Sequence, residues 1–188
     1  MPRQNPVGQA TFEEFLELEA KSQTRHEFVD GFVFAMAGGT DYHNRLVTRF
    51  LLTIFNAGEE AGCETFAENM LLKVDSAAYY PDVFVTCEEP LEGVSFKKTA
   101  CLVVEVLSDS TEAIDRGEKL LAYQKLPGLQ AYVLVSGLSK RLEIFRRMED
   151  GGWRYEAVEE GALWLPCVNV AVSLDGLYQG IPVGGAGA

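Results

Sequence analysis

Seven consecutive residues constrain the fold of this 188-residue chain more than any other segment: Cys101-Leu102-Val103-Val104-Glu105-Val106-Leu107. The run is apolar almost throughout and too short for a buried helix, so it reads as a strand covered on both faces, as at the centre of an α/β sheet. A helix is expected next, from about Thr111 to Lys125, stopped by Leu126-Pro127-Gly128. A second apolar strand, Ala131–Val135, follows it. One residue breaks the pattern. Glu105 lies in the middle of the most hydrophobic strand, and a carboxylate there needs a cation, a hydrogen-bond network or a metal ion to offset its desolvation.

The rest of the chain reads as further α/β material. Thr11-Phe12-Glu13-Glu14 is a capping box opening a helix that runs to about Ala20. Asp30-Gly31, between two β-prone runs within His26–Met36, is a strong hairpin signal. A helix over His43–Ala61 presents Leu46, Val47, Phe50, Leu51, Ile54 and Phe55 as one apolar stripe. Glu64–Val74 and Asp82–Cys87 read as strands, and Arg141–Met148 with Trp153–Val158 as a hairpin across Glu149-Asp150-Gly151-Gly152. The expected fold is an α/β (α+β) single domain over residues 1–180 with a mixed central sheet flanked by helices, and a flexible Gly-rich tail over 181–188. No apolar run approaches the roughly 18 residues of a membrane span, and the polar N-terminus does not resemble a signal peptide, so a cytoplasmic chain is expected.

Sixteen Lys plus Arg against 28 Asp plus Glu give a net charge of −12, which argues against a broad phosphate-coating surface but not against a small, locally positive site. The four cysteines, at positions 63, 87, 101 and 167, form no CxxC, and there are two histidines. A zinc knuckle is therefore not expected, and the cysteines read as buried thiols. GxxxxGK[ST] and G-x-S-x-G are absent, against a P-loop NTPase and an α/β-hydrolase.

The candidate chemistry gathers around Glu105. Asp82 opens the apolar strand Pro81-Asp82-Val83-Phe84-Val85. If the two strands are neighbours the carboxylates converge, and two such oxygens with a backbone carbonyl and waters suit Mg²⁺ or Mn²⁺. Asp115 and Lys119, four apart on the following helix, share a face with Tyr123. They form either a surface ion pair or a group reaching the metal site, where Lys119 would orient a water or phosphate. Glu27, read alone, is a solvated carboxylate. His43, beside Asp41 at a helix start, reads more readily as a structural hydrogen-bonding group than as a catalyst.

The order Arg25-His26-Glu27-Phe28-Val29-Asp30-Gly31, His43, Pro81-Asp82-Val83, Val103-Val104-Glu105-Val106-Leu107-Ser108, Thr111, Asp115-Arg116, Lys119, Tyr123, Pro127-Gly128 and Tyr132-Val133-Leu134-Val135 resembles the Uma-type restriction endonuclease family. That family, known as domain of unknown function 820, falls within the PD-(D/E)xK nuclease superfamily. The resemblance spans about residues 11 to 148 and implies a restriction-endonuclease-like core with the active site at one sheet edge. It implies that Asp82 is the aspartate of PD, that Glu105 is the acid of (D/E)xK, and that Glu27 is a supplementary ligand. Leu107 stands where the motif has its lysine, and the migrated lysine would be Lys119. The implied activity is Mg²⁺- or Mn²⁺-dependent cleavage of DNA, with Asp82, Glu105 and the Val106 carbonyl as ligands and His43 at the same pocket. Positive charge for DNA would have to come from Arg45, Arg49, Lys97, Lys98, Arg116, Lys119 and Lys125, gathered in a homodimer. Two alternatives stand beside it: an inactive nuclease-like domain that binds protein, and a metal-dependent hydrolase of small nucleotides.

Overall fold

The computed structural model describes residues 3, 5–36, 38–89 and 93–183. In chain order the first strands are β1 (Gly8–Gln9), β2 (His26–Val29), β3 (Phe32–Ala35), β4 (Glu64–Ala67), β5 (Leu71–Val74), β6 (Ala77–Tyr79) and β7 (Val83–Thr86). There follow β8 (Phe96–Lys97), β9 (Leu102–Val106), β10 (Ala131–Val135), β11 (Leu142–Arg147), β12 (Trp153–Val158), β13 (Ala162–Leu165) and β14 (Val170–Ser173). The helices are α1 (Phe12–Glu19), α2 (Asp41–Glu60), α3 (Glu112–Ile114), α4 (Leu120–Tyr123) and α5 (Leu174–Tyr178), and a π-helical turn, Asp115–Lys119, joins α3 to α4.

The strands form a mixed six-stranded sheet in the order β12-β11-β10-β9-β7-β4, a second six-stranded sheet in the order β1-β3-β2-β6-β5-β8, and the β13-β14 ribbon. The strand at 101–107 is central, as its composition requires. β9 pairs in parallel with β10 and antiparallel with β7, and all five of its residues are buried. β9, the helical segment and β10 make one crossover unit. Side-chain alternation then decides what each face meets. Leu102, Val104 and Val106 join the core with α2 residues Leu46, Val47, Phe50 and Ile54, while Val103 and Leu107 face Tyr123, Leu126 and Tyr132 on the other side. Glu105, of the same parity as Val103 and Leu107, is thereby aimed at the helical segment.

Local signals explain most elements. Asp30 and Gly31 both take positive φ, 50° and 85°, the twisted two-residue turn that Asp-Gly favours. Thr11 and Glu14 form the reciprocal capping box of α1. A Cβ on Gly58 would lie 2.5 Å from Thr65 Oγ1, so this glycine lets α2 approach β4 closely.

Several expectations need correction. Glu64–Val74 is two strands in different sheets, because Glu68 turns the chain with φ 56° between β4 and β5. On α2 the buried stripe stops short of Phe55, which is exposed, and Leu51 is half-buried. The cysteines are not free thiols: Cys63 is disulfide-bonded to Cys87 and Cys101 to Cys167, and Cys87 is exposed rather than buried. The tail does not begin at 181, since Ile181 is buried against α2 and α5 and Val183 packs on the same cluster; residues 184–188 lie outside the described residues. Among the described residues no helix is long and apolar enough to cross a membrane.

Candidate metal centre

The ends of β7 and β9 bring the acids together. Val83 lies opposite Val104, so Asp82, just before β7, sits beside Glu105. The Asp82 N–H points at Glu105 Oε2 at 3.4 Å, and the Val106 N–H donates to Asp82 Oδ2 at 2.6 Å. Because the N–H and C=O of one strand residue point to the same side, the Val106 carbonyl also faces this edge of β9.

The helical segment supplies the cation. Lys119 Nζ lies 3.0 Å from Glu105 Oε1, 3.2 Å from Glu27 Oε1 and 3.2 Å from Asp115 Oδ1. The pair Asp115–Lys119 is no surface ion pair, for both residues are buried, at 1% and 5% exposure. Tyr123 donates its hydroxyl to Glu105 Oε1 at 2.9 Å. Glu27, brought in by β2, is buried rather than solvated. Its Oε2 lies 2.8 Å from Arg3, which also holds Glu118 and packs over the Phe34 ring. His43, fixed by the Thr40 cap at the start of α2, places Nε2 3.1 Å from Asp82 Oδ2. Arg3, Glu27, His43, Asp82, Glu105, Asp115 and Lys119 line one cleft of about 280 Å³, together with Glu68, Ser108 and Thr111.

Four carboxylates face one another here across few cations, and two of them, Glu105 and Asp115, are perturbed by it. Burial pushes the Glu105 acid well up; the Lys119 ammonium opposes this, while the charges of Asp82 and Asp115 add to it. Burial also raises Asp115, against the pull of Lys119. Burial works against the Lys119 ammonium, but Glu105, Glu27 and Asp115 outweigh it and hold the proton on. At His43 burial likewise disfavours the charge, and the hydrogen bond that its Nε2 donates to Asp82, together with the charge of that carboxylate, reverses the balance, so that its pKa rises.

This donor set fits a hard divalent cation. The hydrogen bonds to Asp82 fall on Oδ2 and those from Lys119 and Tyr123 on Glu105 Oε1. Asp82 Oδ1 and Glu105 Oε2 therefore keep lone pairs available, and a +2 charge would relieve the repulsion that raises Glu105. Among the described residues, Asp115 Oδ1 and His43 Nδ1 are buried without a directed hydrogen bond.

Sequence reasoning missed Arg3, Glu68 and the terminal hydroxyl of Tyr132, which donates to the Asp115 carbonyl at 3.0 Å. Arg3 carried no signal beyond its charge. It also overrated the basic residues outside the cleft. Arg45 is paired with Asp41, Arg49 with backbone carbonyls of Leu177 and Gln179, Lys97 with Glu64, Arg116 with Glu112 and Glu143, and Lys125 with Asp75. Lys98 stacks on Phe96.

Comparison with known proteins gives the chain its relatives. The profile of the Uma2 family, described as "Putative restriction endonuclease", matches residues 12–175. Two proteins of Synechocystis sp. strain PCC 6803 are similar along most of their length: "Uncharacterized protein slr1290", 34% identical over 94% of this chain and 95% of that one, and "Uncharacterized protein sll1609", 30% identical over 76% and 84%. A crystal structure from Anabaena variabilis ATCC 29413, described as "a putative nuclease belonging to DUF820", superposes with a TM-score of 0.75 over 90% of this chain and 97% of that one. At 17% identity that likeness is one of fold. With the family profile covering most of the chain, and with relatives alike over nearly their full length, the protein belongs to the Uma2 family.

Proposed function

We propose that this chain is a Mg²⁺- or Mn²⁺-dependent endonuclease that hydrolyses phosphodiester bonds in DNA. The observation that carries the reading is the meeting of Asp82 and Glu105 at adjoining strand ends with Lys119 turned into the same cleft. The restriction-endonuclease description of the Uma2 family and the nuclease description of the Anabaena protein point the same way.

In this reading Asp82, Glu105 and the Val106 carbonyl hold the ion. When bound, such an ion lowers the pKa of a coordinated water and offsets charge on the scissile phosphate. Lys119 stays protonated and orients the attacking water or a phosphate oxygen through its ammonium. Tyr123 fixes Glu105 Oε1, leaving Oε2 for the ion. His43 fixes the Asp82 carboxylate through Oδ2. Glu27 holds Lys119 on one oxygen and Arg3 on the other. A homodimer, formed on the exposed Leu52 and Phe55 of α2, would place two clefts on one assembly.

Plasmid and single-stranded DNA incubated with Mg²⁺ or Mn²⁺ test the reading. Wild type should cleave, and Glu105→Gln and Lys119→Ala should each lose at least about a hundredfold, the scale of one electrostatic catalytic group. Cleavage at full rate in Glu105→Gln would remove the assignment.

A second reading has its own support. The basic residues that DNA would need are nearly all spent on internal partners, and the cleft is of small-molecule size. A nucleotide or other small phosphorylated substrate meets no penalty from a charge of −12. Turnover of nucleotides under Mn²⁺, with plasmid left intact, would select it. Calorimetry showing no Mn²⁺ binding would favour a protein-binding role instead.

A further inference from the structure

All four cysteines of the chain converge on one place. Cys63 precedes β4, Cys87 follows β7, Cys101 precedes β9, and Cys167 lies in the turn between β13 and β14. The sulfurs of Cys63, Cys87 and Cys101 all lie within 4.8 Å of one another, and Cys167 is bonded to Cys101. Two separate disulfides have no need to touch. Yet Cys87 Sγ of one pair is 3.8 Å from Cys101 Sγ of the other. A tetrahedral Zn²⁺ with Zn–S bonds of about 2.3 Å has sulfur–sulfur edges of about 3.8 Å. Cys63 and Cys101 are buried and Cys87 is exposed, so the cluster has a walled side and an open one. Sequence spacing hides such a site because its ligands are separated by 24, 14 and 66 residues and come from four segments.

We propose that the reduced chain binds one Zn²⁺ through the four thiolates of Cys63, Cys87, Cys101 and Cys167, as a closed structural site. Binding takes the four thiols to thiolates and releases four protons. The paired sulfurs are the oxidised form of the same site, and each disulfide needs two electrons and two protons to enter it. The site lies at the far ends of β7 and β9 from Asp82 and Glu105, about 13 Å along the strands. It ties the β13-β14 ribbon to the central sheet and is independent of the carboxylate cleft.

The test uses the full chain reduced with a trialkylphosphine, which supplies the electrons and leaves as phosphine oxide with oxygen from water. Titration with Co²⁺ in the absence of air should bring the thiolate signal to saturation at one equivalent, whatever the carboxylate cleft takes up besides. It should show thiolate-to-cobalt charge transfer in the near ultraviolet with the intense red-region bands of a tetrahedral ion, and Zn²⁺ should bleach both. Cys101→Ser and the exposed-site variant Cys87→Ser should each weaken cobalt binding at least tenfold and shift the bands, while Glu105→Gln leaves them in place. A reduced chain with native circular dichroism but no charge-transfer band would overturn the site. So would a band unchanged in both cysteine variants, or disulfides that resist the phosphine.

Discussion

β7 and β9 are held together differently at their two ends. At one end Asp82 and Glu105 rely on Lys119, Tyr123 and His43, all of them non-covalent partners carried by helices. At the other, Cys63–Cys87 and Cys101–Cys167 fasten the same two strands to β4 and to the β13-β14 turn. The hydrophobic ladder between them is ordinary, with every side chain of β7 and β9 buried. One end is thus organised to be fixed and the other to hold charge in a dry place. Uncompensated charge is costly there, so each carboxylate lies beside a lysine, arginine or histidine, and losing one such partner exposes the rest.

The largest expected effect lies at the charged end. Lys119→Met strands Glu27, Glu105 and Asp115 without their shared cation and should cost about 3–5 kcal/mol in a urea titration. A cost below about 1 kcal/mol would mean that this end does not depend on its cation, and the contrast would fail. Next come the cross-links of the oxidised chain. Loop entropy gives about 4 kcal/mol for Cys167→Ser and about 3 kcal/mol for Cys63→Ser, because the first bond closes 66 residues and the second 24. The reverse ranking would show that the cysteine end stabilises through packing instead. Tyr123→Phe removes one hydrogen bond to a buried carboxylate and should cost about 1.5–3 kcal/mol, with thermal unfolding as the measurement.

Two buried carboxylates should respond to pH in opposite directions. Glu143, on β11, is also a carboxylate buried in a strand, but hydrogen bonds from Arg116 lead those that pull it down to about 2. Its stabilisation is present above the ordinary carboxylate value and disappears as pH falls from there through about 2. Glu105 runs the other way. Its raised pKa means that the folded state takes up this proton before the unfolded one does, so acidification through that window favours folding at this residue. Carboxyl resonances followed by NMR should show Glu105 titrating far above Glu143; a common midpoint would erase the distinction.

Much of this architecture was legible in residue order. The buried strand, the Asp30-Gly31 turn and the Thr11 cap each rest on local chemistry that tertiary packing left alone. The anomaly of Glu105 pointed to a compensated site, and parity along β9 decides that Lys119 and Tyr123 lie on its side. What was hidden depended on distance along the chain. The run breaks at Glu68 with only the neighbouring Asn69 as a turn residue and without the glycine or proline of a stronger signal. Nothing near Arg3 announces that it will cross to Glu27. The cysteine pairing is invisible because 24 and 66 intervening residues say nothing of register. Leu51 and Phe55 were misjudged because spacing gives the width of an apolar stripe but not how far the sheet beneath it extends.

The π-helical turn at Asp115–Lys119 carries a consequence for alignment. Four-residue steps on an ordinary α-helix drift by about 40°, so Asp115 and Tyr123, eight apart, would fan out by about 80°. A wider turn takes back part of that drift and lets an ammonium and a phenol reach a single carboxylate while the acid stays beside the ammonium. The convergence is thus written into backbone pitch as much as into side-chain identity. A relative could keep all three residues yet lose their common focus simply by winding this stretch more tightly.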